Sequence, residues 1–151
     1  MIIRPLLLAF GLFLCGACQP KPDATVIEVK PTEMSDQKLP VPSAWSLVSC
    51  ERDGKTIPAV NKKAFVAFRD GQIGGHSGCN AFGGDWTMKG KKMDVPGVMA
   101  SKMYCADAAD QENLLFDLFN GTVVPNISGK TLTLSNATTT VILSRNDTLL
   151  E

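Results

Sequence analysis

Chemistry-bearing side chains are sparse in this chain and converge on one stretch, Gly74-Gly75-His76-Ser77-Gly78-Cys79-Asn80, which holds the only histidine. Gly75-His76-Ser77-Gly78-Cys79 comes close to the G-x-S-x-G turn that exposes a nucleophilic serine, but that turn needs glycine where Cys79 stands. A serine triad also needs an imidazole that reaches the serine from elsewhere in the fold, and His76 is the immediate neighbour of Ser77. The same objection meets a Cys79–His76 pair. The glycines therefore read as places where the backbone bends or approaches another strand closely, as at a barrel corner. No glycine-rich loop followed by Lys-Ser/Thr is present for phosphate. One histidine leaves little for zinc, so neither a metal nor a cofactor is expected and no catalytic residue is assigned. Three Asn-x-Ser/Thr sequons, at Asn126, Asn136 and Asn146, match the N-glycosylation acceptor pattern and carry no catalytic chemistry.

The remaining cysteine signal lies near the start. A single basic residue, Arg4, precedes the apolar run Pro5–Leu14, and small residues Gly16-Ala17 precede Cys18. That is the layout of a secretory signal, too short for a membrane span, which needs about 20 apolar residues. Cys15-Gly16-Ala17-Cys18 has redox or zinc spacing, yet Cys15 would leave with the leader. Leu14-Cys15-Gly16-Ala17-Cys18 resembles a lipobox, with Cys15 where leucine is usual. Lipidation at Cys18 is thus expected, with residues 1–17 removed; the alternative is ordinary signal cleavage nearby. Several acyl chains on one residue would anchor the protein firmly. Gln19 resembles the outer-membrane sorting preference, so the expected location is an outer-membrane lipoprotein facing the periplasm. The mature chain then has 14 basic and 15 acidic groups, a near-neutral balance that argues against a nucleic-acid partner. Cys50, Cys79 and Cys105 remain beside Cys18, an odd number that allows one intramolecular bridge and one spare thiol.

These residues need elements to hold them. Residues 18–43 carry five of the nine prolines and read as a semi-extended tether reaching about 75 Å, although Val26-Ile27-Glu28-Val29 alternates weakly and could dock as a strand. The folded part, residues 44–145, is dense in strand and turn signals, and residues 146–151 read as a tail. Trp45–Cys50 alternates like a half-buried strand. Hairpins are expected around Asp70-Gly71, Lys89-Gly90 and Ser128-Gly129, with Pro125 marking an edge or bulge. The basic cluster Lys89, Lys91, Lys92 flanks one turn and reads as solubility or weak attraction to an anionic surface. Thr138–Leu143 is a further strand. Asp107, with Asp110 three residues on, predicts a helix over 108–120 stopped by Gly121. Leu114, Leu115, Leu118 and Phe119 form its apolar stripe, while Asp110, Glu112, Asn113 and Asp117 face solvent. The expected core comprises Trp45, Phe65, Phe68, Phe82, Trp86, Leu115, Leu118 and Phe119.

From Trp45-x-Leu47 through Ile73-x-Gly75-x-x-Gly78-Cys79-Asn80-x-Phe82-x-Gly84, Ala100-Ser101-Lys102-Met103-Tyr104-Cys105 and Leu132-x-Leu134, the chain resembles the META domain family, which includes HslJ-like heat-shock lipoproteins. Lys102 departs from the threonine more usual there. The resemblance implies an α+β, mostly antiparallel fold: a small curved sheet or partly closed barrel with one amphipathic helix packed across it. It implies a Cys79–Cys105 bridge, with Cys50 left reduced or externally paired. It also implies an envelope protein without established enzymatic activity: a binding or stabilising module in stress tolerance, with an unknown envelope protein or lipid as ligand. A periplasmic hydrolase or thiol-redox enzyme, or a secretion or assembly accessory, is the alternative.

Overall fold

A computed structural model describes residues 38–150. The signal, Cys15, the Cys18 lipidation site and the Val26–Val29 segment lie outside the described residues.

Eleven strands and one α-helix make the domain. In chain order they are β1 (Ser43–Arg52), β2 (Lys55–Pro58), β3 (Phe65–Arg69), β4 (Gln72–His76), β5 (Ala81–Asp85), β6 (Thr87–Lys89), β7 (Lys92–Pro96), β8 (Val98–Ala100), α1 (Ala109–Leu118), β9 (Asn120–Ser128), β10 (Thr131–Ser135) and β11 (Thr139–Arg145). All pairings are antiparallel. The strand order is β6-β7-β9-β10-β11-β1-β3-β4-β5-β8, with β2 on β1. The period-2 sequence pattern explains the facing: Leu132 and Leu134 of β10 and Val141 and Leu143 of β11 point inward and are fully buried. A register shift between Leu47 and Ser49 marks a bulge in β1. The strand meets β3 before this point and β2 after it.

The two ends of this strand order are covalent neighbours, so the sheet must curl. Trp86 alone separates β5 from β6, and Gly97 alone separates β7 from β8. Thr87 pairs with Asp94 and Gly84 with Val98, so residues 81–100 form one long hairpin, bent at Trp86 and Gly97. Its β5 half joins β4 and its β7 half joins β9, which draws the sheet into the expected partly closed barrel. The bend demands close backbone approach: a Cβ on Gly84 would lie 2.6 Å from the Gly97 carbonyl oxygen. At Gly75, φ is +156° and a Cβ would fall 2.1 Å from the Phe65 oxygen, so a side chain is excluded there.

The helix lies across this curl with Leu114, Leu115 and Leu118 buried, continued by Phe119. Phe82 meets Phe116 and Phe119 at ring-centroid distances of 5.7 and 5.8 Å, and Phe68 meets Trp86 edge-on at 5.8 Å. Trp45 donates Nε1–H to Ser43 Oγ at 2.9 Å and has the Arg145 guanidinium 5.0 Å from its ring.

Several expectations change. Phe65 is only half-buried, because β3 alternates Val66 and Phe68 inward and so turns Phe65 outward. The boundary read at residue 44 lies further upstream, since Leu39 and Ser43 are buried. The tail read from 146 is folded at its start: Asn146 donates its backbone N–H to Ala44 O and its side-chain amide to Ser46 Oγ, both at 2.9 Å. The helix begins with a 3-10 turn, Ala106–Ala108, and no side chain caps either start, so the Asp107–Asp110 capping box does not form. Gly121 belongs to β9 rather than stopping the helix. Pro125 sits where β9 has only β10 beside it, because pairing with β7 ends at Val123.

Candidate functional site

The His76–Asn80 stretch forms the tight connection between β4 and β5. Ser77 N–H donates to Asn80 O at 2.8 Å, closing the turn. Ser77 Oγ accepts from the backbone N–H of Asn80 at 2.9 Å and of Cys79 at 3.3 Å. His76 Nδ1 accepts from Gly78 N–H at 3.0 Å. These are the short-range side-chain-to-backbone bonds that hold a turn. A disulfide then joins Cys79 to Cys105 across 26 residues, with Cα atoms 5.9 Å apart, and staples the turn to the segment that enters the helix.

Asn80 is almost fully buried and uses its whole amide. Its Nδ2 donates to Met103 O at 2.9 Å and to the Glu112 carboxylate at 2.9 and 3.0 Å. Its Oδ1 accepts from Met103 N–H at 2.8 Å and from Ser101 Oγ–H at 2.9 Å. Ser77 Oγ–H donates to Glu112, and Gln111 Nε2 donates to Ser77 O. Gln111 Oε1 accepts from Val60 N–H at 2.9 Å, and Asn61 Nδ2 donates to Gly78 O at 3.0 Å. One turn, the loop after β8, the loop after β2 and the first turns of α1 thus share a single polar network. Among the described residues no buried side-chain nitrogen or oxygen lacks a hydrogen-bond partner.

Sequence reasoning missed two members. Glu112, placed on the solvated helix face, is half-buried and ties the turn to α1. Gln111 is buried three and four residues before Leu114 and Leu115. A polar residue on the apolar stripe is the signal that could have found it, since a buried amide must have partners. Asp117 does stay exposed, but it pairs with Arg52 at 2.9 Å. The motif residues divide: Gly78, Cys79, Asn80 and Cys105 gather in the network, Phe82 and Gly84 lie on the adjoining β5, and Trp45 stands apart in the core.

The side chains of this stretch that could do chemistry each have a structural partner. Ser77 Oγ bonds a carboxylate and two backbone amides, His76 Nδ1 is engaged by its own turn, and Cys79 is oxidised. No group of three or more His, Cys, Asp or Glu among the described residues could hold a metal ion. Lys89 of the basic cluster pairs with Asp94 at 2.9 Å. No helix among the described residues is long and apolar enough to cross a membrane.

Cys50 is a free thiol buried in the core, and burial pushes its pKa from 9.0 up to about 12. The native state therefore keeps the thiol protonated while the unfolded chain ionises first. The stability this group contributes is complete below pH 9.0 and declines as pH rises from there towards 12. Iodoacetamide at pH 8 should leave Cys50 unmodified in the folded protein and label it once denaturant is added, read by peptide mass. Rapid labelling without denaturant would show an accessible thiolate.

A family model described as META domain matches residues 37–148. No curated protein sequence matches the chain. An NMR structure of a protein from Burkholderia xenovorans is similar at 17% identity with TM-score 0.63, covering 85% of this chain and 98% of that one. A second NMR structure is similar at 21% identity with TM-score 0.57, covering 71% and 92%. A crystal structure of a lipocalin-like protein from Bacteroides uniformis aligns more loosely, at 16% identity with TM-score 0.45, covering 70% and 98%. The first two share the fold, and the family follows from the match across most of the sequence: the chain belongs to the META domain family.

Proposed function

We propose that this protein is a non-catalytic envelope lipoprotein, held to the outer membrane by acyl chains on Cys18, whose domain binds or stabilises an envelope component under stress. One observation carries the non-catalytic part. Every side chain in the His76–Asn80 block that could do covalent or acid–base work is already committed to holding the turn. Covalent catalysis would need a nucleophile open to substrate, whereas Ser77 is fully buried beside Glu112 and Cys79 is held in the disulfide. The resemblance to HslJ-like lipoproteins and the leader layout over residues 1–17, just before Cys18, support the location and the stress role.

The test is complementation of a deletion strain under heat or envelope-antibiotic stress. His76→Ala and Ser77→Ala, compared at matched amounts of folded protein, should each restore at least about half of wild-type tolerance, because neither removes a reacting group. A folded, abundant variant as inactive as the deletion would return the protein to the enzyme class, hydrolase or thiol-redox.

A further inference from the structure

We infer that the cleft between the β8–α1 loop and the helix is a binding site for an organic cation, a primary alkylammonium group on an apolar stem. The cleft has a volume of about 400 Å³ and is lined in part by Asn80, Lys102, Met103, Tyr104, Glu112 and Phe116. That volume suits a small ligand.

The donor count at Glu112 is the first observation. Its carboxylate receives one hydrogen from Ser77 Oγ and one from Asn80, whose Nδ2 spans both oxygens while its other hydrogen goes to Met103 O. A carboxylate offers about four acceptor positions, so about half of them are open. Both donors are neutral. The ion pairs among the described residues join Arg52 to Asp117, Lys89 to Asp94 and Arg145 to Asp147, and none reaches Glu112. Glu112 is thus half-buried with neutral donors on one side and no cation beside it, and the start of α1 is shared with Asp107 and Asp110 nearby.

The walls give the second observation. Tyr104 is 89% exposed and Met103 59% exposed, beside the half-buried ring of Phe116. An aromatic face and a thioether next to an unpaired carboxylate suit an ammonium head whose methylenes lie against them. The disulfide fixes the backbone of this loop, since Cys105 follows Tyr104 directly. Lys102 lines the same cleft and repels a cation, so replacing it should tighten binding.

This inference rests on the binding-module reading and names the ligand class for it. The probes are butylamine, cadaverine and Nα-acetyl-lysine methylamide, with butanol and butyrate as controls, titrated against the full-length protein by NMR. The amines should shift the amide signals of residues 101–105 and 112 saturably, and the neutral and anionic controls should not. A preference for the lysine derivative points to a lysine side chain of a protein partner, and a preference for cadaverine to a free polyamine; either supports the site. Glu112→Gln should weaken amine binding at least about tenfold. Because that change also disturbs the turn, Tyr104→Ala provides the fold-neutral arm. It should weaken binding about threefold, and Lys102→Ala should strengthen it. Equal shifts by butanol, or unchanged affinity in Tyr104→Ala and Lys102→Ala, would overturn the assignment. The complementation result would stand untouched by that failure.

Discussion

Replacing Asn80 by alanine is expected to destabilise the domain by about 3–5 kcal/mol, counting several lost hydrogen bonds at about 1 kcal/mol each and partners left dry at more. Met103 N–H, Met103 O and Ser101 Oγ lose their partner together, and Glu112 keeps only the Ser77 hydroxyl. Asn80→Asp should be no better. It retains the acceptor but turns a second carboxylate towards Glu112, where the amide donated. Urea denaturation of the wild type and both variants checks this, the midpoint falling by more than about 1 M. A shift below about 0.3 M for Asn80→Ala would mean that water replaces the amide and that the network contributes little.

Loss of the Cys79–Cys105 bridge should cost about 3–4 kcal/mol in the chain-entropy model, from a loop closed across 26 residues. The expected experiment is denaturation with and without reductant, repeated with the Cys79→Ala, Cys105→Ala double variant, where reductant should have no further effect. Asn80 and the bridge hold the same segment, Ser101 to Cys105, so their effects should not add. Once one is lost, the second should cost less than it does alone. Strict additivity would show two independent fastenings instead of one.

How much of this was written locally in the chain differs by element. The hairpin at Asp70-Gly71 and the stripe Leu114, Leu115, Leu118, Phe119 were legible because each depends on residues within a turn or two of one another. The curl of the sheet was legible only as a family expectation. What produces it, the continuity of β5 into β6 through Trp86 and of β7 into β8 through Gly97, needs the pairing on both sides to be known. Glu112 was misplaced for a related reason. Helical periodicity tells which side of α1 is apolar, but not that a turn from residues 77–80 sits against the edge of that side. Phe65 was misjudged because size and hydrophobicity outweighed the phase of the strand, which Val66 and Phe68 set. The carboxylate that anchors the network is legible only from its partners, 32 and 35 residues away.

The pairing of β1 with β11 has a consequence for how the domain can assemble. Trp45 faces Arg145 and Ser46 faces Ser144, so the first long strand waits for the last one. Closing a loop of that length is an entropic cost met before any contact within it offsets the loss, and chains dominated by such pairings fold slowly. Until β11 emerges, the inward faces of β1 and β10 lack their neighbour, and Trp45, Leu47, Leu132 and Leu134 stay without part of their cover. A chain delivered from its amino end therefore leaves this domain unfinished until β11 has arrived.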